Sequence, residues 1–407
     1  MNRIIIIGNG FDLAHGLKTS YANFIDWYWE KRIKDLKNEH TNESDDGLCK
    51  LVMKYFGSWS DYYKSAITFK RLKDIDILNN IRKDRNQFDI SYSSKLFENI
   101  NKFVENKGWV DIENEYYCFL ANKIEPQKLN KELDIIKENL VEYLNGINEE
   151  GFSKIGNMKK NFYSPIKYSD FSVESKNNIV HEILKSRLKA GDKYWENLLS
   201  SYGKMCNKKD LLEIRNGNLN YLLKIDSDTK NKNFPELFLP DMTMVLNFNY
   251  TNIADQYFSE ASSRFSVNHI HGTLDKPESI IFGYGDEKDE TFKDLQKRND
   301  KESLKNIKSI KYLEAPNYRK LLAFMESSPY QIFIIGHSCG QSDGTLLNTL
   351  FEHKNCISIK PFYRLKDDGT DNYMELVQNI SRNFTDMKLM RDRVVNKTQC
   401  EPLPRAE

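Results

Sequence analysis

The chain opens with a short apolar run that ends in glycines. Residues 4–7 form a continuous β-branched block, and Gly8-Asn9-Gly10 follows at once. Such a block is typical of a central strand in a parallel sheet, where both faces are buried. Apolar residues then recur at helical spacing over residues 21–36. A strand, a glycine-rich turn and a helix in this order predict the beginning of a Rossmann-like nucleotide-binding sheet.

The hydrophobic pattern changes between residues 37 and 239 and changes back afterwards. In this middle part, Leu, Ile, Phe and Tyr recur at helical spacing within Lys-, Glu- and Asn-rich segments, and strand-like alternation is rare. After residue 240, short apolar runs return at residues 243–248, 267–270, 280–282, 331–335 and 356–359.

These patterns predict an α/β fold in which a large insertion interrupts the sheet in sequence. We expect residues 1–36 and 240–400 to form one Rossmann-like parallel core, and residues 37–239 to form a mainly helical insertion. Residues 401–407 carry two prolines and are predicted to be a flexible tail.

Composition narrows the class of protein. Lys and Arg number 60, Asp and Glu number 59, and the net charge of +1 excludes a generic polybasic nucleic-acid binder. Aromatic residues make up 12% of the chain, which excludes wholesale disorder. The six cysteines form no C-x-x-C pair, so reduced thiols are expected. Because no apolar run approaches about 18 residues and no signal peptide is recognisable, we expect a cytoplasmic protein that does not enter a membrane.

The first candidate site follows the first predicted strand. Glycines at this point allow backbone N–H groups to face a phosphate at a helix N-terminus. The dinucleotide fingerprint is incomplete because position 13 is Leu, and a tight turn capped by Asp12 is the alternative. The candidate nucleotide-binding residues here are Gly8, Asn9, Gly10, Phe11, Asp12 and His15.

Two later predicted strands also end in polar residues. Asn249 and Thr251 offer amide and hydroxyl groups that suit ribose hydroxyls, although a polar turn closed by Asn side chains explains them equally well. His269 and His271 would share a face of a strand. That spacing indicates either a metal pair or a catalytic histidine beside a structural one, and a metal would need ligands from elsewhere in the chain.

The last predicted strand-end loop contains Gly336-His337-Ser338-Cys339-Gly340, followed by Asp343. The G-x-S-x-G spacing matches the nucleophile elbow of α/β-hydrolases. That fold needs an acid and then a histidine from separate loops, and only His353 follows, within one predicted helix. A glycine-rich loop that closes over a nucleotide therefore fits better, with Gly336, His337, Ser338 and Asp343 as its binding residues.

Two charged segments complete the survey. Residues 293–320 contain nine Lys or Arg against four acids, which is typical of a solvated helix face or a loop over a cleft. Interleaved aromatic residues, which a nucleic-acid-binding patch would carry, are missing there. Nucleic-acid binding is therefore possible but is not indicated. Asp111 and Glu113 would not share a face of a helix, so paired-carboxylate chemistry is not predicted for them.

Five motifs together resemble one known family. They are residues 8–21, Trp109-x-Asp111-x-Glu113, residues 247–251, His269-x-His271-Gly272 and residues 335–343. From residue 1 to about 355 the chain resembles the AbiH family, bacterial proteins associated with abortive infection by phage.

More remotely, the strand ends are similar to those of sirtuin-like NAD-binding domains. That resemblance implies that Gly8 and Gly10 face a pyrophosphate, Asn249 faces the ribose and nicotinamide, and His271 is the catalytic base. It also implies cleavage of NAD to nicotinamide and ADP-ribose. Thr251 stands where those domains carry Asp, and their zinc-binding cysteines are missing, which argues against protein deacylation.

Three functions follow as hypotheses. The first is an NAD hydrolase of phage defence with His271 and Asn249 as catalytic residues, NAD as substrate and no metal. Its insertion would sense a phage-derived or protein trigger, or drive self-assembly. The second is a non-catalytic nucleotide sensor. The third is a metal-dependent nuclease or phosphohydrolase, with ligands drawn from Asp12, His15, His269, His271, His337 and Asp343.

Overall fold

The computed structural model describes residues 1–39, 43–53, 88–107, 111–122, 124–148, 152–202, 238–258, 263–285, 287 and 290–406. Its strands are β1 (Asn2–Ile7), β2 (Glu43–Asp45), β3 (Cys49–Met53), β4 (Phe88–Tyr92), β5 (Thr243–Asn247), β6 (Phe265–His269), β7 (Tyr330–Ile335) and β8 (Cys356–Phe362).

The helices between these strands are short on the carboxyl-terminal side of the chain and long in its middle. In chain order they are α1 (Asn9–Ala14), α2 (Tyr21–Glu39), α3 (Lys95–Lys107), α4 (Ile112–Ala121), α5 (Pro126–Asn148), α6 (Gly156–Phe162), α7 (Val173–Lys189), α8 (Asp192–Ser201), α9 (Glu290–Lys297), α10 (Lys301–Leu304), α11 (Lys308–Lys311), α12 (Asn317–Ser327), α13 (Gly344–Glu352), α14 (Tyr373–Arg382) and α15 (Met387–Arg393).

A five-stranded sheet in the order β6-β5-β1-β7-β8 forms the centre. Every neighbouring pair in it is parallel. Counted along the chain the spatial order is 3-2-1-4-5, the order of a Rossmann sheet, whose ligands bind where the order reverses, here between β1 and β7. The predicted α/β fold with a Rossmann-like parallel sheet split in sequence is confirmed.

The β-branched run of β1 explains why this strand lies at the centre. Ile4 and Ile6 pack in a cluster with residues of α12 and α13, whereas Ile5 and Ile7 pack with Phe11 and with α6 on the other face. Successive side chains of a strand point to opposite faces, so a run without polar residues requires cover on both. All four isoleucines are fully buried.

The middle of the chain contains strands as well as the helices that the sequence predicts. Helices α2 to α5 share one apolar cluster, and β2, β3 and β4 form a separate three-stranded antiparallel sheet that the pattern did not reveal. Helices α7 and α8 pack instead with Met1, which precedes β1, and with Ile357 of β8. The helices between residues 37 and 239 therefore divide among three clusters, since α6 packs with Ile5 and Ile7 of β1. Within the described residues, no helix is long and apolar enough to cross a membrane.

Two predicted segments differ in the structure. Residues 280–282 form no strand, because their backbone is engaged elsewhere: Ile281 N donates to His271 O at 2.9 Å. The carboxyl-terminal end, expected to be a flexible tail, packs on the core. Leu403 is buried and its N–H donates to Tyr363 O at 2.8 Å, and Ala406 N–H donates to Ala14 O at 2.8 Å.

Candidate functional site at the carboxyl edge of the sheet

Asp12 joins the first two strand-end loops. It lies in α1, directly after β1, and its carboxylate accepts hydrogen bonds from Asn249 Nδ2 at 2.9 Å and Thr251 Oγ1 at 2.7 Å. Asn249 Nδ2 also donates to Gly8 O at 3.2 Å. The loop after β5 is thus fixed against the loop after β1, as expected for neighbouring parallel strands.

The side chain of Asn247, the last residue of β5, hydrogen-bonds to the backbone of the loop that follows. Its Oδ1 accepts from Asn249 N at 3.0 Å and its Nδ2 donates to Thr251 O at 3.1 Å. Asn247 Nδ2 also lies 3.4 Å from His269 Nδ1, while His269 Nε2 lies 2.9 Å from Asp255 Oδ2. Because Nδ1 faces a donor, the His269 proton is on Nε2, and this histidine is engaged by Asp255.

His271 has a different set of partners. Strand β6 ends at His269, so the two histidines do not continue as strand residues on one face. His271 Nε2 lies 3.3 Å from Asp343 Oδ1 and 3.1 Å from the Tyr312 hydroxyl. Since an ionised carboxylate only accepts hydrogen bonds, this contact holds the imidazole proton on Nε2 and leaves Nδ1 to accept one.

His337 is the second histidine on Asp343. Its Nδ1 accepts the backbone N–H of Cys339 at 3.0 Å, which fixes the proton on Nε2, 3.5 Å from Asp343 Oδ2. The ring of Phe248 packs edge-on against both histidine rings, with centroids 4.3 Å from His337 and 5.1 Å from His271. Asp343 therefore contacts a histidine from each of two loops, His271 after β6 and His337 after β7.

A buried ion network completes the site. Lys308 Nζ donates to Asp343 Oδ1 at 2.8 Å and to Glu113 Oε2 at 2.9 Å. Glu113, in the first turn of α4, also accepts Gly283 N–H on Oε1 at 3.0 Å. Lys308 is 1% exposed and Glu113 7% exposed. Two carboxylates around one ammonium provide the partners that buried charges require.

Burial and these contacts set the protonation of the site. Burial raises the pKa of Asp12 to about 7, opposed by its hydrogen bonds from Thr251 and Asn249. Burial also raises the pKa of Glu113 to about 7, with Lys308 opposing. Burial acts to raise the pKa of Asp343 too, but Lys308 and then His271 hold it well below its ordinary value. Burial and Lys308 lower the pKa of His271, so its neutral form prevails near pH 7.

The glycines after β1 serve loop packing in this structure. Gly8 N–H donates to Ile335 O at 3.3 Å and Gly10 N–H donates to Gly336 O at 2.7 Å. A Cβ on Gly10 would lie 2.7 Å from Gly336 O, and one on Gly8 would lie 2.7 Å from the Cα of His337. Their N–H groups are satisfied within the protein, which differs from the phosphate-facing role predicted for Gly8 and Gly10.

His15, predicted to bind the nucleotide, is a satisfied structural histidine. Its Nδ1 lies 2.7 Å from Phe11 O, and its Nε2 lies 2.7 Å from the Tyr257 hydroxyl. The hydroxyl in turn accepts Ile155 N–H at 2.6 Å, so its own proton goes to Nε2. The Phe11 ring is fully buried beside it and belongs to the core.

The other predicted binding residues lie around the buried centre. Asn9 is exposed and its Oδ1 accepts from Thr19 Oγ1 at 2.5 Å. Ser338 is exposed in the loop after β7, and its carbonyl oxygen accepts from Asn379 Nδ2 at 3.0 Å. Gly336 has a φ of +70°, and a Cβ there would lie 2.1 Å from Phe11 N, so only glycine is accommodated.

The serine-hydrolase interpretation fails on geometry. Ser338 follows the carboxyl end of β7, whereas His353 stacks on Tyr330 at the opposite end of that strand. His353 Nε2 pairs there with Glu326 at 3.1 Å. The length of the strand separates the histidine from the serine.

The metal ligand pool is not brought together in one place. Asp12, His15 and His269 each have the separate partners described above, and among the described residues no group of three or more His, Cys, Asp or Glu is arranged to hold a metal ion. Asp343 is the partner of both His271 and His337, with N···O distances of 3.3 and 3.5 Å.

Sequence reasoning missed Glu113, Lys308 and Tyr312. Glu113 lies beside Asp111, the N-cap of α4, whose Oδ1 accepts from Asn114 N at 3.0 Å; Trp109 lies outside the described residues. Lys308 belongs to the basic segment that was interpreted as a solvated helix face or a loop over a cleft. Its burial comes from contacts distant in sequence, which a single-sequence pattern does not register. The Asp111-x-Glu113 spacing was the available signal for Glu113.

Comparison with known proteins identifies the family. No curated protein matches the sequence. The family model described as bacteriophage abortive infection AbiH matches residues 4–364. This range includes residues of every strand of the central sheet and all the site residues described above. The chain therefore belongs to the AbiH family and is a bacteriophage abortive-infection defence protein.

Proposed function

We propose that this abortive-infection protein cleaves the N-glycosidic bond of NAD and releases nicotinamide and ADP-ribose. The observation that carries the proposal is the pairing of His271 with Asp343 at 3.3 Å. The pair lies beyond the carboxyl edge of a parallel sheet of Rossmann strand order, the edge where such sheets bind nucleotides.

In the proposed reaction, water attacks C1′ of the nicotinamide ribose. The bond from C1′ to the ring nitrogen breaks, its electron pair passes to the pyridinium ring, and neutral nicotinamide leaves. His271 takes the water proton on Nδ1, and Asp343 stabilises the resulting imidazolium through Nε2–H. A histidine that is uncharged near pH 7 suits this role, because it enters the step able to accept.

Asn249 is proposed to orient the water or the ribose. Its Nδ2 is committed to Gly8 and Asp12, and among the described residues none donates to its Oδ1. That oxygen is left to accept from a ribose hydroxyl or a water. Thr251 and Asp12 hold the loop that carries it.

The proposal requires the site to open. Asp12, Asn249, His271, His337 and Asp343 are each less than a tenth exposed. Tyr312 and Lys308, from the segment after α10, contact His271 and Asp343 directly. We propose that NAD enters when this segment moves, and that a phage-derived or protein trigger, or self-assembly, favours the open form.

The test is nicotinamide release from NAD by the full chain, followed by chromatography with and without chelator. The matched variants are His271→Ala and His353→Ala, since His353 pairs with Glu326 at the far end of β7. We expect release that persists in chelator, survives in the His353 variant and is lost in the His271 variant while NAD binding remains. Binding without release would favour a nucleotide sensor, and release only with added metal would favour a metal-dependent hydrolase.

A further inference from the structure

Lys308 is the most deeply buried cation at the site. It is 1% exposed, and its ammonium lies between carboxylates of two different segments, Glu113 of α4 and Asp343 after β7. The oxygen it contacts on Asp343 is Oδ1, the same atom that faces His271 Nε2 at 3.3 Å. Lys308 and His271 therefore approach one carboxylate oxygen together.

In the closed conformation of the site, hydrogen bonds hold the backbone around Lys308 as well as its side chain. Lys308 N–H donates to Tyr284 O at 2.8 Å, and Tyr284 N–H donates to Asn306 O at 3.1 Å. A Cβ on Gly285 would lie 3.0 Å from Lys308 Cβ, so glycine at this position leaves space for the lysine side chain. Glu113 binds the same loop through Gly283 N–H.

We propose that Lys308 is a positioning residue for His271, and that Glu113 of α4 places Lys308. The proposal rests on the function proposed above. It makes the geometry of the histidine dependent on helix α4, which packs with α2, α3 and α5 in the helical cluster. The catalytic edge and the helical part of the protein thus share one chain of contacts, from Glu113 through Lys308 and Asp343 to His271.

The contacts give Lys308 two effects on the reaction. Two donors on Asp343 Oδ1 fix the rotation of that carboxylate, which in turn fixes the His271 ring. The ammonium also keeps Asp343 ionised and disfavours a second proton on His271. The charged and titratable groups around this centre are Tyr21, Asp111, Glu113, Tyr250, Lys308, Tyr312, His337 and Asp343.

A purely structural ion pair predicts something different. Removing the cation of a buried ion network lowers stability, because the carboxylates are left without a counter-charge, but it need not alter the titration of a neighbouring histidine. A positioning role predicts that the His271 titration moves even where the fold is retained. Histidine titration is independent of turnover, so it tests the inference even if the proposed NAD cleavage is absent.

The experiment is an NMR titration of the histidine rings in the full chain. The variants are Lys308→Met, Lys308→Arg as charge-preserving rescue, and Lys305→Met as control, because Lys305 is exposed and pairs with Asp134. We expect the pKa of His271 to rise by about one pH unit or more in Lys308→Met. It should stay near the wild-type value in the other two, and any NAD cleavage should shift its pH profile in parallel.

An unchanged His271 titration in folded Lys308→Met would overturn the inference. If that variant does not fold, the wild-type protein provides the second measurement. A lysine ammonium held by two buried carboxylates should give a slowly exchanging signal that is missing in Lys308→Arg. Absence of any protected lysine signal in the wild type would equally overturn it. If the histidines titrate as expected but the wild-type protein does not cleave NAD, only the proposed function is rejected.

Discussion

Thr251 and Asp12 lie 239 positions apart in the chain, and Thr251 Oγ1 donates to Asp12 Oδ2 at 2.7 Å. This bond, with that from Asn249, supplies Asp12 with neutral donors, and no cation pairs with it among the described residues. Burial without a counter-charge disfavours the ionised form. The carboxyl group of Asp12 is therefore a source of pH-dependent stability.

Asp12→Asn tests this consequence. With a pKa of about 7 in the folded protein and about 4 when unfolded, folding takes up a proton between these values. The Asp12 contribution to the free energy of unfolding is complete below about pH 4 and decreases as the pH rises to about 7. The Asn side chain resembles the protonated acid. The free energy of unfolding of Asp12→Asn, relative to that of wild type, should therefore increase with pH by up to about 4 kcal/mol.

Urea denaturation of both proteins at several pH values between about 5 and 8 measures the difference. Asp367→Asn is the control, because Asp367 is exposed and pairs only with Arg405 among the described residues. A difference between Asp12→Asn and wild type that does not depend on pH would show that Asp12 is ionised throughout.

His269 and His271 are predicted to differ in their effect on the proposed NAD cleavage. His269 contacts Asp255, whose side chain is 40% exposed, whereas His271 contacts the buried Asp343. We expect His271→Gln to lower kcat by about 100- to 10,000-fold, the range for loss of a general base. His269→Gln should stay within about tenfold of wild type. Steady-state kinetics of the two variants measure this difference. An equal decrease of kcat in both variants would reject separate roles for the two histidines.

The sequence predicted the sheet better than the site. The apolar blocks 243–248, 331–335 and 356–359 each correspond to a strand, because burial on both faces leaves a continuous apolar run. The strand-end location of Asp12, Asn249 and Asp343 followed from the same rule.

The rest depends on contacts between distant segments. Lys308 and Glu113 are 195 positions apart and meet only in the folded chain. Helical periodicity also does not predict which side chains of a first turn are buried. Asp111 is the N-cap of α4, and Glu113 in the first turn is buried. The β2–β4 sheet escaped notice because its strands are short and carry polar residues, as in Glu43–Asp45.

Gly10→Ala distinguishes loop packing from phosphate binding. The new methyl group would lie 2.7 Å from Gly336 O, which is backbone and cannot rotate away. Overpacking of this kind costs about 1–3 kcal/mol, so the melting temperature should fall. The control is Gly146→Ala in α5, where nothing lies within 4 Å of the added methyl group. It should raise stability by up to about 1 kcal/mol. Weaker NAD binding by Gly10→Ala at unchanged stability would restore the phosphate-facing role.

Leu403→Ala tests whether the carboxyl-terminal end belongs to the core. Leu403 is 8% exposed and clusters with Phe11, Phe333 and Phe362 around the central sheet. Truncation of a buried leucine costs about 2–5 kcal/mol, with the lower part expected near the surface. Leu365→Ala, at a side chain that is 42% exposed, should change stability by less than about 0.5 kcal/mol.

Denaturant unfolding of both variants provides the comparison. Equal stabilities would mean that residues 401–406 fray in solution. The expected loss in Leu403→Ala alone would mean that the end of the chain supports α1, since Ala406 N–H donates to Ala14 O at the end of that helix. Removal of residues 401–407 should then also weaken the contact of Asp12, in the same helix, with Asn249 and Thr251. We expect a truncated chain to lose the proposed NAD cleavage as well as stability.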